Sequence, residues 1–154
     1  MSIAIPLHLL SAVIWVGGMF FAYMILRPVA ASLLEPPHRL PLWSKIFEAF
    51  FKWVWVAIVT LLATGYWMVF SVYGGMANVP LFVHIMNGLG IIMMLIFLHV
   101  FFAPSRRLKR AIATEDWPAG ARALAQIRVL IALNTALGLL VIAVASGGRY
   151  LIGS

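Results

Sequence analysis

Four long runs of apolar residues constrain this chain more than any other feature. They cover residues 3–26, 53–73, 81–103 and 129–146, approximately. A bilayer core of roughly 30 Å requires about 20 apolar residues in a helix. Lipid admits only helices and closed barrels, and these runs lack the period-2 alternation of barrel strands. The sequence therefore predicts an all-α integral membrane protein, a bundle of four transmembrane helices.

Composition supports this prediction and excludes several classes of chemistry. The chain is 64% hydrophobic and only 10% charged, whereas soluble domains carry about 25% charged residues. We expect a single membrane domain over residues 1–154. Because the chain contains no cysteine, disulfides, thiolate-held zinc, iron–sulfur clusters and thiol catalysis are excluded.

The basic residues predict how the bundle is oriented. Ten of the eleven lysines and arginines lie between the first and second runs or between the third and fourth. The positive-inside rule places both segments in the cytoplasm of a bacterial inner membrane and both termini in the periplasm. The same rule accounts for the net charge of +7, so we expect the lipid bilayer, and no nucleic acid, as the partner. A quinone or redox partner, and association into a homo-oligomer, are further alternatives.

Two histidines are predicted at a similar depth below the periplasmic surface. His8 lies about 7.5 Å into the first run and His84 about 4.5 Å into the third, at the helical rise per residue. Two imidazoles from different helices are the axial ligands that a haem b in a helix bundle requires. Imidazole also suits copper, and Met19 or Met86 would add a thioether ligand for Cu(I). We therefore expect His8 and His84 to hold haem b or, alternatively, copper.

Small and polar residues surround both histidines. Small residues leave room for a macrocycle, although they equally allow bare helices to approach closely. Hydroxyl and amide side chains at these positions could orient an imidazole. The candidate pocket residues are Ser11, Trp15, Gly18, Asn87 and Gly88.

Other polar residues receive weaker assignments. His99 lies near the inner end of the third run, and with His38 it forms a possible second, inner site. Histidines near a membrane end also meet headgroups. Thr64 is expected to bond only to its own helix, and Asn134 to join neighbouring helices.

Residues 7–19 (LHLLSAVIWVGGM) carry a family resemblance. His8 is followed seven residues later by Trp15 and then by small residues. This pattern resembles the first helix shared by CopD-type membrane domains and HemJ-type protoporphyrinogen oxidases. Residues 99–110 (HVFFAPSRRLKR) also resemble the CopD-like small membrane proteins.

The resemblance implies two functions. HemJ-type proteins bind haem b, through a histidine that matches His8, and oxidise protoporphyrinogen. Where they carry a lysine this chain has Met86, and their Asn-Glu-x-Pro sequence is absent because Thr135 follows Asn134. CopD-type domains are linked to copper uptake or resistance. We expect a b-type haem protein active in electron transfer or as an oxidoreductase; the alternatives are a CopD-like copper-handling protein, a HemJ-type oxidase, and an accessory subunit without cofactor.

Overall fold

The computed structural model describes residues 3–151, with side chains through residue 148, and confirms the all-α prediction. Four helical stretches are long and apolar enough to cross a membrane. In chain order the elements are α1 (Ala4–Phe21), a π-helical turn (Ala22–Leu26), α2 (Arg27–Leu33), α3 (Pro36–Tyr73), a 3₁₀ turn (Met76–Asn78), α4 (Leu81–Phe102), α5 (Pro104–Ala113) and α6 (Trp117–Leu151).

The helices continue beyond the apolar runs. The first run is followed by helix through Arg27 and Pro28 to Leu33. Pro28 has no N–H to donate within this continuous helix, and the π-helical turn Ala22–Leu26 lies directly before α2. α3 and α6 begin at Pro36 and Trp117, well before the predicted spans. The basic segments between spans are therefore mostly helical.

Short turns connect these long helices. α3 ends at Tyr73 and is followed by Gly74, whose φ of 70° is the left-handed conformation typical of a residue after a helix. α6 is preceded by Asp116, whose carboxylate accepts a hydrogen bond from the backbone N–H of Ala119 at 3.0 Å. This carboxylate caps the first turn of α6.

The helices form two hairpins. α1 packs against α3, while α4 and α5 pack against α6, which also contacts α1 and α3. An aromatic cluster in the middle of the bundle joins the hairpins, with the Phe97 ring 6.3 Å from Trp15, 5.3 Å from Phe51 and 5.4 Å from Trp55, all edge-to-face. Edge-to-face pairs of this kind add to the stability that burial supplies.

Candidate functional site

A cavity of about 310 Å³ lies between the two hairpins, at the end of the bundle where α1 begins. All four long helices line it. Its wall is mainly apolar, with Trp15 toward the centre of the bundle. The side chains that bring polar atoms or sulfur to the wall are His8, Met68, Tyr66, Tyr73, Met86, Asn87, Met93 and Met94.

His8 is held in this cavity by a chain of two hydrogen bonds. Its Nδ1 lies 2.9 Å from the Thr64 hydroxyl. That hydroxyl donates its single proton to the backbone carbonyl of Thr60 at 2.6 Å, so it accepts from His8 Nδ1–H. The neutral imidazole then carries its lone pair on Nε2. A histidine oriented through one nitrogen in this way is prepared to bind a metal through the other.

Gly65 allows the imidazole to lie close to α3. A Cβ atom at this position would be 3.3 Å from Cε1 of His8, which is tight for a side-chain contact. Thr64 and Gly65 therefore position the ring together. Thr64 supplies a hydrogen-bond acceptor, and Gly65 leaves the space that the ring occupies.

Methionine sulfur is the other donor type in the cavity wall. Met86, Met93 and Met94 come from α4, and Met68 from α3. Among the residues the structure describes, no group of three or more histidines, cysteines or carboxylates could hold a metal ion. A metal here would combine one imidazole with thioethers, a soft donor set that suits Cu(I). Met19, the other methionine suggested by the sequence, is buried deeper, with its sulfur 3.7 Å from Asn134 Nδ2.

The structure does not bring His84 to the cavity that His8 lines. His84 is exposed on the outer face of α4, as is Gly88, whereas the neighbouring Val83 and Asn87 line the cavity. Each residue turns a helix by about 100°, so adjacent positions point in very different directions. Similar depth in the membrane did not ensure that the two imidazoles face each other.

The remaining pocket residues have varied surroundings. The Ser11 hydroxyl donates to the Leu7 carbonyl of its own helix at 2.8 Å. A Cβ on Gly18 would overlap the ring of Phe50, so Gly18 serves close packing of α1 on α3. A Cβ on Gly88 would meet nothing within 4 Å. Of the five predicted pocket residues, Trp15 and Asn87 line the cavity.

The possible inner site is not assembled either. His38 lies in the first turn of α3 and His99 in the last turn of α4, and both are exposed. Neither lines the cavities at the two ends of the bundle.

Sequence reasoning missed Thr64, which does bond to its own helix but also contacts His8. The bounds of the apolar runs gave no signal for it, because Thr64 lies about 13.5 Å from the outer end of the second run by the helical rise, whereas His8 lies about 7.5 Å into the first. A comparison of depth between the first and second spans would therefore not have paired Thr64 with His8.

The family model for copper resistance protein D matches residues 44–147, from α3 through most of α6. Neither the curated proteins nor the solved structures contain a match to this chain. The family match covers more than half of the chain, and the helical fold agrees with a membrane protein. The chain belongs to the copper resistance protein D (CopD) family.

Proposed function

We propose that this protein handles copper in the bacterial inner membrane by binding Cu(I) in the cavity around His8. Family membership supports copper as the cargo. The observation that carries the proposal is the hydrogen bond from His8 Nδ1 to Thr64, which leaves Nε2 as the free donor in a wall that also holds four methionines.

The donor set favours the reduced ion. Thioethers are soft ligands that suit Cu(I), and a singly charged ion loses less hydration energy than Cu(II) when it enters an apolar cavity. His8 would supply the imidazole, with Met86 and Met94, which line the same cavity from α4, as candidates for the thioethers. Trp15, whose ring packs against Phe97 of the aromatic cluster, lines the cavity on the side toward the centre of the bundle. The ion would therefore enter and leave on the side where α1 begins.

The copper proposal replaces haem b, which the sequence favoured. The family match supports the copper alternative and gives no support to haem or to an oxidoreductase. A bis-histidine haem would also need a second imidazole beside His8, and His84 does not line the cavity.

The test is an anaerobic titration of the detergent-purified chain with Cu(I), in competition with a chromophoric chelator. We expect a single high-affinity ion per chain. Loss of an orienting hydrogen bond to a ligand lowers metal affinity about 10- to 100-fold. His8→Ala removes the ligand itself and should lower Cu(I) affinity by more than this. Met86→Leu and Met94→Leu should weaken it as well.

Two exposed residues provide matched controls. His84→Ala removes an imidazole on the outer face of α4, and Met24→Leu removes a thioether from a side chain that is 55% exposed. Both variants should bind Cu(I) like the unmodified chain. A Soret band in the purified protein, or equal losses in His8→Ala and His84→Ala, would overturn the proposal.

A further inference from the structure

A second cavity, of about 290 Å³, lies at the opposite end of the bundle. Three arginines from three segments line it: Arg27 at the start of α2, Arg39 in α3 and Arg128 in α6. No acidic residue is among its lining side chains. Within residues 3–148, Lys109 and Glu48 form an ion pair, and neither of these residues lines this cavity. Three like charges around one cavity repel each other, so an anion bound between them would stabilise the arrangement.

The rest of the cavity wall is apolar. Alanines on the facing helices provide the space: Ala22 and Ala31 on one side, Ala121 and Ala125 on the other. Leucine, isoleucine, phenylalanine and tryptophan side chains complete the lining. The cavity therefore combines basic groups with an apolar surface, which suits an amphiphile with an anionic head.

A local departure from α-helix borders this cavity. The π-helical turn Ala22–Leu26 contributes Ala22 and Tyr23 to the wall and leads directly into Arg27. The Arg27 guanidinium stacks over the Tyr23 ring, 4.6 Å from its centroid. On the facing side, Arg39 Nη1 lies 3.5 Å from the Ala31 carbonyl oxygen. π turns inside helices are rare and frequently occur at functional sites.

We propose that this cavity binds an anionic phospholipid, with its phosphate between Arg27, Arg39 and Arg128 and an acyl chain against the apolar wall. Guanidinium groups bind phosphate through paired N–H donors. Basic pockets between transmembrane helices bind acidic lipid headgroups. The apolar lining favours a lipid over free phosphate, which would leave that surface without a partner. The inference does not depend on copper binding at the other end.

The experiment is native mass spectrometry of the full chain in detergent, with dioleoylphosphatidylglycerol or dioleoylphosphatidylcholine added. We expect retention of the anionic lipid in preference to the zwitterionic one. The triple variant R27Q/R39Q/R128Q should lose this preference, with affinity falling about fivefold for each arginine removed. The control R107Q/R110Q/R122Q removes three exposed charges outside the cavity wall and should retain the preference for the anionic lipid.

R128Q alone provides a second measurement should the triple variant fail to fold. Arg128 is exposed and makes no hydrogen bond within residues 3–148, so its loss should affect lipid affinity rather than folding. Equal loss of preference in the control triple variant would overturn the proposal. So would stabilisation of the purified protein by inorganic phosphate to the same extent as by phosphatidylglycerol, because the site would then take the free anion.

Discussion

A histidine inside a membrane span needs partners, because unpaired polar groups are costly in lipid. His8 finds one in Thr64, whose own proton is committed to Thr60. The result is an imidazole with a defined tautomer and orientation. A lone histidine can in this way act as a prepared ligand, even though the described residues around it include no carboxylate.

Thr64→Val tests this arrangement directly. Valine has nearly the shape of threonine but cannot accept the proton of His8 Nδ1, so the ring loses its orientation. We expect Cu(I) affinity to fall about 10- to 100-fold in the chelator competition. Thr64→Ser should retain affinity. Thr60→Val removes a hydroxyl that bonds to Val56 in its own helix and should also bind normally. Indistinguishable affinities for the serine and valine variants at position 64 would rule out the orienting role.

Among the elements, α6 holds the two hairpins together through a close approach at Gly138. A Cβ here would be 2.7 Å from Cγ2 of Val16 in α1 and 3.1 Å from Cε of Met93 in α4. Both neighbours are buried, so neither can move easily. Gly138 also lines the cavity around His8, which makes the position of α6 part of the site.

Gly138→Ala should therefore destabilise the bundle. Overpacking of this kind costs about 1–3 kcal/mol, which thermal unfolding in detergent would detect as a lower Tm. Gly17→Ala is the matched control, because a Cβ at Gly17 meets nothing within 4 Å and alanine favours helix over glycine. If both variants unfold at the same temperature as the unmodified chain, α6 does not depend on this contact.

Across the whole molecule, the two ends of the bundle differ in chemistry. One end holds an imidazole and thioethers, and the other holds three arginines around an apolar cavity. The aromatic cluster around Phe97 separates them. A cation bound near His8 is thus kept away from the arginines, which would repel it. The same distribution of charge underlies the predicted orientation, with the arginine end in the cytoplasm.

The orientation can be tested because the chain has no cysteine. Ala77→Cys places a thiol in the turn between α3 and α4, and Glu115→Cys places one in the turn between α5 and α6. In intact cells, a membrane-impermeant maleimide should label the cysteine at position 77 and reach the one at 115 only after permeabilisation. The reverse pattern would show that the positive-inside prediction is wrong for this protein.

The sequence was sufficient for the number and type of the membrane helices. Apolar runs of this length cannot be solvated by water, and lipid leaves them helical. It did not reveal that α3 begins at Pro36, because helix outside lipid depends on capping and contact with neighbouring helices rather than on hydropathy. His8, which the sequence singled out as a candidate ligand, lines a cavity together with methionines, and its role remains a proposal.

The partners of His8 were decided by tertiary structure alone. Depth along a helix follows from residue number, but facing direction depends on how each helix is rotated against its neighbours. That rotation turns His84 outward and places Thr64 beside His8. Side-chain packing between the helices sets it, through contacts such as those at Gly18 and Gly138, and these join residues far apart in the chain. A single sequence therefore predicts the approximate depth of each residue in the membrane, while only the packed bundle determines which residues meet.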